Sequence, residues 1–585
     1  MSAKRPYYPV QLCWLLPALI VVASIGLTLW MQAAVQSGVW FGQGSGIYAL
    51  ITQQIAQQIR AGRFPLDVAL SLPAADWVST LWQAGLYPFH TNFIPDAAAQ
   101  PVALFPFVFP VLSAPPYVLF SGLLGDRALY IIPLVALWAT WLRFWQIGRR
   151  AGWGLIPLCL GLLGLTFGSA LSIYGSVLGP KSLAVALAFW GLSILLFPRD
   201  PQSGSSPNKQ RIDTGISRGQ VLRSGVLLGL SAWFGSEFIC LALVIGLLAI
   251  LGWRFPQWQL FPRVTLVKVC ILMGAIACVV GILLALNYAI YGDPVEIRPS
   301  GAAQLGSAPW LATSLLQYFP LAWVVGLAVV FMPELKKPQV KVSPFKRKNP
   351  KASKGHYFRQ LGINQASTLD PMPSRLSLLV SLLFLIIVPF VISPDGGALR
   401  WGQERYLVLI PLLSVLLAEQ LRVNCLRSWA RQVILIGAIV ALVLGLQLNT
   451  VTAVFGKAAD ADSTEKTVSL QDHSKTTSLA VEAFRQEPIP WMALSNGYIA
   501  EQLWTALPGK TFFRAEGMAE VKRLANRLVD LGEREFLYVC SPLQDCQVPN
   551  TPGSELSLEN GTHRLNMTFL GAYGQYPTYK LEIDP

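Results

Sequence analysis

The sequence predicts an α-helical polytopic membrane protein of about 11 spans that ends in a small extracytoplasmic α/β domain. Three observations carry that expectation. Of the 585 residues, 53% are hydrophobic and only 13% are charged, and the mean hydropathy is +0.48; no soluble fold hides so large an apolar surplus. Uncharged stretches of roughly 20 residues, the length that crosses a hydrocarbon core of about 30 Å as a helix, recur along most of the chain. These runs are continuous rather than alternating, which selects helices over barrel strands.

Taken in order, Lys4 and Arg5 precede an apolar run from Gln11 to about Ala34. That run is too long for a signal-peptide core and is followed by many more spans, so residues 1–34 read as a cytoplasmic N-terminus and an uncleaved first helix. The next basic pair, Arg149 and Arg150, follows a span from about Ala128 to Ile147. Basic loops face the cytoplasm, so this span runs inward and residues 35–127 become a large external first loop. Within it, Pro101 to Leu124 is apolar but carries Pro101, Pro106, Pro110, Pro115 and Pro116. So many missing N–H groups argue against a regular buried helix, and the segment is expected to lie at the outer leaflet.

The bundle is expected over 128–448, with basic cytoplasmic loops at 199–223 and 334–375. Its further spans are about Gly152 to Ile173, Ser182 to Pro198, Val264 to Ile290, Trp310 to Pro333, Leu376 to Ile392, Tyr406 to Leu421 and Val433 to Leu448. Ser224 to Trp253 is expected to form a tight pair of short helices turning near Gly235 and Glu237, because a single crossing would carry the basic 334–375 loop outside. The resulting location is the plasma (inner) membrane, with the N-terminus inside and the C-terminal domain outside.

The formal charge of +14 does not indicate nucleic acid. Its densest cluster, including Lys336, Lys337, Lys341, Lys346, Arg347 and Lys348, lies among Pro, Ser and Gly without aromatic residues to stack bases. Anionic lipid is the partner it suits.

After Leu448 the composition becomes that of a soluble domain, residues 449–585. Ile489 to Leu494 and Phe536 to Val539 read as strands, and Met518 to Leu531 puts Val521, Leu524 and Leu528 on one helix face. Neither strand is followed by a G-x-G-x-x-G, so no nucleotide site is indicated. Cys540 and Cys546 can close a small disulfide loop in an oxidising compartment, or be two unrelated thiols. The four histidines are scattered, there is no H-E-x-x-H, Walker lysine loop or paired C-x-x-C, and a His-based metal site is not indicated.

Several motifs together resemble the GT-C superfamily of polytopic glycosyltransferases, which includes protein O-mannosyltransferases and lipid A aminoarabinose transferases. They are Gly46-Ile47-Tyr48-Ala49-Leu50 opening an amphipathic segment; Pro115-Pro116-Tyr117 leading through Gly125-Asp126-Arg127-Ala128-Leu129 into a span ending at Gly148-Arg149-Arg150; Tyr291-Gly292-Asp293-Pro294; and Trp401-Gly402-Gln403-Glu404-Arg405-Tyr406-Leu407. The resemblance implies transfer of a sugar from a polyprenyl-phosphate donor to an acceptor at the external membrane face. It also implies an acidic residue just before the first-loop tyrosine, at which some relatives use a divalent ion. Here the stretch reads Gly42-Gln43-Gly44-Ser45-Gly46-Ile47-Tyr48, with no carboxylate, which leaves the metal requirement unknown.

The acceptor-activating role then falls to Asp67 or Asp96, which adjoin the apolar segments, unless these are solvated loop carboxylates. Arg400 and Arg405 bracket Glu404 at the mouth of a span and suit a phosphate, or else form an ion pair that anchors the helix end. Asp293, Glu296 and Arg298 fall on the same side and can complete the site with Tyr48. Glu237, ionisable and near membrane depth, is a candidate by position, or a cap for the hairpin turn. Two other classes stay open: a non-catalytic assembly protein of the same architecture, which would account for the missing acid, and a lipid or solute transporter, against which stand the lack of an inverted repeat and the few charges inside spans.

Overall fold

The computed structural model describes residues 12–34, 45–64, 66, 68, 75–89, 93–95, 101–103, 107–197, 216–235, 237–255, 265–291, 319–330, 372–391, 406–422, 428–448, 470–541, 555–560 and 563–584. Helix α1 spans Leu12–Ala34, followed by α2 (Ser45–Arg60), the short α3 (Asp76–Leu81) and a two-strand ribbon in which β1 (Phe93–Pro95) pairs antiparallel with β2 (Pro101–Ala103). Then come α4 (Val108–Leu124), a 3-10 turn over Gly125–Tyr130, α5 (Ile131–Arg150), α6 (Leu155–Thr166), the single turn α7 (Leu171–Tyr174) and α8 (Lys181–Leu196). Helices α9 (Arg218–Ser231), α10 (Glu237–Arg254), α11 (Leu266–Tyr291), α12 (Leu321–Val330), α13 (Met372–Val391), α14 (Leu409–Arg422) and α15 (Ser428–Leu446) complete the apolar part.

Among the described residues, four runs are long and apolar enough to cross a membrane: Leu15–Ala33, Val108–Arg150, Glu237–Arg254 and Leu266–Ala289. Five more apolar helices have 10–17 residues. Length and composition alone therefore carry fewer crossings than the expected number.

Two local expectations are corrected. The proline-rich stretch is a regular α-helix from Val108 to Leu124, with Pro115 and Pro116 inside it. A pyrrolidine costs only its own i to i−4 bond and the fit around it, and here the helix is kept by packing along α2. Its outward face leaves Leu119 and Leu123 75% and 84% exposed, so it is not buried in protein. Gly125, at φ 58° and ψ −140°, then turns the chain into α5; an L side chain would be strained there. Secondly, α9 begins at Arg218 rather than at Ser224, because Ser217 caps it: its Oγ accepts from Gln220 N–H at 3.2 Å while Gln220 Oε1 accepts from Ser217 N–H at 2.9 Å. The helix breaks at Ala232–Phe234 and the extended Gly235, and α10 restarts at Glu237.

The C-terminal domain adds α16 (Leu470–Gln486), β3 (Trp491–Leu494), α17 (Gly497–Leu503), β4 (Thr511–Arg514), α18 (Met518–Asp530), β5 (Glu535–Val539), β6 (Glu555–Asn560), β7 (His563–Tyr573) and β8 (Tyr576–Asp584). Its sheet runs β4-β3-β5-β8-β7-β6, with β3 parallel to β4 and β5 and the rest antiparallel. The strands over 491–494 and 535–539 and the helix over 518–530 lie where the sequence pattern puts them.

Side chains alternate across this sheet and each face is closed by a different part of the first loop. Met492, Leu494, Phe512, Leu537 and Val539 share one buried cluster with Ile47, Ile51 and Ile55 of α2. Ala493, Phe513, Phe536 and Tyr538 share the other with Val78, Leu81 and Trp82. Trp82 Nε1 donates to Phe512 O at 3.0 Å, Arg523 Nη1 donates to Ala84 O at 2.8 Å, and Trp77 stands edge-on to Trp491 at 4.9 Å. The first loop and the C-terminal domain therefore occupy one side of the bundle.

Candidate functional site

The N-terminus of α2 is the point where bundle, first loop and C-terminal domain meet. The Ser45 hydroxyl donates to Leu178 O at 2.8 Å, in the turn between α7 and α8. Tyr48, one turn on, is 5% exposed and stands edge-on to Phe109 of α4, with ring centroids 5.2 Å apart. Gly179 lies so close that a Cβ there would be 4.0 Å from Tyr48 Cε2. On the opposite flank α17 crosses α2 at Gly46, where a Cβ would come within 1.7 Å of Glu501 O; only a hydrogen fits.

Directly after the Leu178–Gly179 turn, Lys181 begins α8, and its Nζ donates to Glu237 Oε1 at 2.6 Å. Glu237 begins α10, so the ion pair ties the ends of two apolar helices on the side that carries the C-terminal domain. The burial is uneven: the Glu237 side chain is 3% exposed and that of Lys181 24%. The ammonium is thus the reachable member of the pair, held in place by a carboxylate that is not.

A second polar group lies further along α2. Gln53 Nε2 and the Tyr117 hydroxyl both donate to Asp126 Oδ1, at 3.1 and 3.2 Å, and Arg60 Nη2 donates to Ser121 Oγ at 2.6 Å. The Arg60 guanidinium also lies 5.9 Å from the centre of the Tyr117 ring. On the far side of the bundle Arg143 is held by Ser193 Oγ at 2.6 Å, and Trp153 Nε1 donates to Glu419 Oε1 at 2.6 Å. All four of these side chains are buried, which makes them ties between helices.

Of the residues singled out by sequence, Tyr48 and Glu237 fall in this junction. Asp67, Asp96, Asp293, Glu296, Arg298, Arg400, Glu404 and Arg405 lie outside the described residues. Cys540 is buried and disulfide-bonded, and Cys546 lies outside the described residues. Lys181 was missed, because a lone lysine opening an apolar run reads as a helix boundary. Only its partner 56 positions away gives it meaning. Among the described residues no three His, Cys, Asp or Glu side chains gather as metal ligands. At the start of α2 the hydroxyl of Ser45 is spent on a carbonyl. The described residues that open α2, Ser45 to Tyr48, bring no carboxylate to hold a divalent ion.

No family model and no curated protein matches the sequence. Among solved structures, the aminoarabinose transferase ArnT from Cupriavidus metallidurans bound to undecaprenyl phosphate superposes with a TM-score of 0.50 at 11% identity, over 96% of this chain and 97% of that one. The fold is GT-C. The apo state of the same ArnT gives 0.45 at 12% identity over 96% and 97% of the two chains. The oligosaccharyltransferase of Archaeoglobus fulgidus in its apo form gives 0.42 at 11% identity, over 91% of this chain and 70% of that one. The GT-C likeness is one of fold and spans nearly the whole length, so the C-terminal domain belongs to the matched architecture.

Proposed function

We propose that this chain is a membrane glycosyltransferase that moves a sugar from a polyprenyl-phosphate donor to an acceptor at the external membrane face. The observation that carries the reading is the Lys181–Glu237 pair: a solvent-reachable ammonium beside a buried carboxylate, at the ends of apolar helices, under Tyr48 and beside the docked C-terminal domain. A lipid-linked donor keeps its tail in the bilayer and its phosphate at this level, where a cation of this kind gives charge-assisted hydrogen bonds. ArnT, which shares the fold, has been crystallised with undecaprenyl phosphate.

In the reaction, an acceptor O–H or N–H group attacks the anomeric carbon. The bond from that carbon to the phosphate oxygen breaks, and the polyprenyl phosphate leaves with the bonding electrons. Lys181 neutralises the charge gained by the phosphate, and Arg400 and Arg405 are assigned to the same task. The acceptor's proton goes to a carboxylate, for which Asp67 and Asp96 are proposed, with Glu237 orienting Lys181. Glu404, Asp293, Glu296 and Arg298 are assigned to the donor sugar and its phosphate, and Tyr48 to the wall. The positive-inside rule supports an external C-terminal domain, since Arg149, Arg150, Arg218 and Arg254 lie at the helix ends opposite Tyr130, Ser231 and Glu237.

A second reading is favoured by one feature, the absence of a carboxylate at the start of α2: a GT-C fold that assembles partners without chemistry. The two separate in proteoliposomes loaded with radiolabelled lipid-linked sugars extracted from the producing cell. Donor consumption that falls at least tenfold in Lys181→Gln at equal folded protein supports the transferase. Unchanged consumption in Lys181→Gln, or none in the unmodified chain with every donor fraction, overturns it.

A further inference from the structure

Arg60, Tyr117, Ser121, Gln53 and Asp126 form a polar patch that the transfer reaction leaves unused. The patch begins at Gln53, five residues beyond Tyr48 on α2 and about 8 Å along the axis, and extends to Arg60, about 18 Å along it; none of its side chains bonds to Lys181 or Glu237. Beside it α4 turns an apolar face outward, with Leu119 and Leu123 almost fully exposed. In a membrane protein such a face is covered by acyl chains, which sets the patch at headgroup depth.

The two charged members carry unspent capacity of opposite sign. Both donors to Asp126, Gln53 Nε2 and the Tyr117 hydroxyl, converge on Oδ1. The second carboxylate oxygen is left to accept from a cation. Arg60 has five N–H donors and gives one to Ser121 Oγ, while the Tyr117 ring steadies its plane. Tyr117 thus touches both receptors: its hydroxyl donates to Asp126 Oδ1 at 3.2 Å and its ring centre lies 5.9 Å from the Arg60 guanidinium. A phosphodiester with an N–H-bearing amine two carbons away matches both.

We propose that this patch binds the headgroup of an outer-leaflet aminophospholipid, its phosphate on Arg60 and its ammonium on Asp126, with one acyl chain along Leu119 and Leu123. The site rests on these contacts and on the membrane setting, not on the transferase reading. Charge complementarity selects a zwitterionic amine over a quaternary one, because a choline head has no N–H to give to the carboxylate.

The test uses the full chain in nanodiscs made from equal parts of dioleoyl phosphatidylethanolamine, phosphatidylcholine and phosphatidylglycerol, followed by gentle extraction and native mass spectrometry of the retained lipid. The expected result is an ethanolamine lipid enriched about tenfold over choline, equivalent to about 1.4 kcal/mol. Asp126→Asn should remove that preference while phosphate lipids are still retained, and Arg60→Gln should lower retention of all three. Equal retention of the three lipids by the unmodified chain, or unchanged enrichment in both variants at unchanged thermal stability, overturns the proposal. So does retention of polyprenyl phosphate alone in a parallel nanodisc that contains it.

Discussion

Removing one partner of the Lys181–Glu237 pair should cost very different amounts depending on which partner goes. Lys181→Met strands a carboxylate that is 3% exposed, where water does not reach it. An uncompensated buried charge of this kind costs about 3–5 kcal/mol. Glu237→Gln leaves a lysine side chain that is 24% exposed beside a carbonyl oxygen that still accepts, so the loss is that of a charge-assisted bond, about 1–2 kcal/mol. The double variant removes both charges and should recover stability relative to Lys181→Met alone, giving a coupling of about 1–3 kcal/mol in the cycle. The assay is unfolding of the purified full chain in mixed micelles by tryptophan fluorescence, with all four proteins measured side by side. Equal losses in the two single variants, or a loss below about 1 kcal/mol in Lys181→Met, would refute the unequal burial from which these magnitudes come.

Other outcomes follow from the junction and its supports. Gly46→Ala places a Cβ 1.7 Å from Glu501 O, so α17 must move off α2; limited proteolysis should release the C-terminal domain at least several-fold faster than in the unmodified chain. Gly125→Ala forces a positive φ on an L residue between α4 and α5 and should cost about 1–3 kcal/mol in the same micelle unfolding assay. Trp82→Phe keeps the packing and loses the bond to Phe512 O, a deficit of about 1 kcal/mol. Lys580 has its pKa raised above the ordinary value by Glu535 and Glu582. Its contribution is therefore complete below about pH 10.4 and fades as pH rises through the raised value, so the gap between the unmodified chain and Lys580→Met should close in strong alkali.

Many of the bundle's helices were legible because apolar runs report directly on burial. The break at Gly235 and Glu237 could be placed from charge alone. What the sequence hid falls into two kinds. Prolines 115 and 116 suggested irregular backbone, yet packing on α2 outweighs two lost bonds. In the C-terminal domain the strand over 563–573 carried a usable signal, since Leu565, Met567 and Phe569 alternate and all three are buried. The four-residue β4 is too short for any pattern. The junction itself was legible only in Tyr48 and Glu237; Ser45 with Leu178, and Lys181 with Glu237, are pairings across 133 and 56 positions that no local spacing reveals.

The bond from Trp82 to Phe512 joins positions 430 residues apart. At the usual synthesis rate of about 5–20 residues per second, the indole leaves the ribosome roughly 20–90 s before its acceptor exists. Throughout that interval the greasy sides of α2 and α3 have no sheet to cover them. Biogenesis of this chain therefore needs a temporary shelter for its first loop, and a ribosome that stalls short of the last hundred codons leaves behind a product with a sticky, unfinished C-terminal domain for quality control to clear.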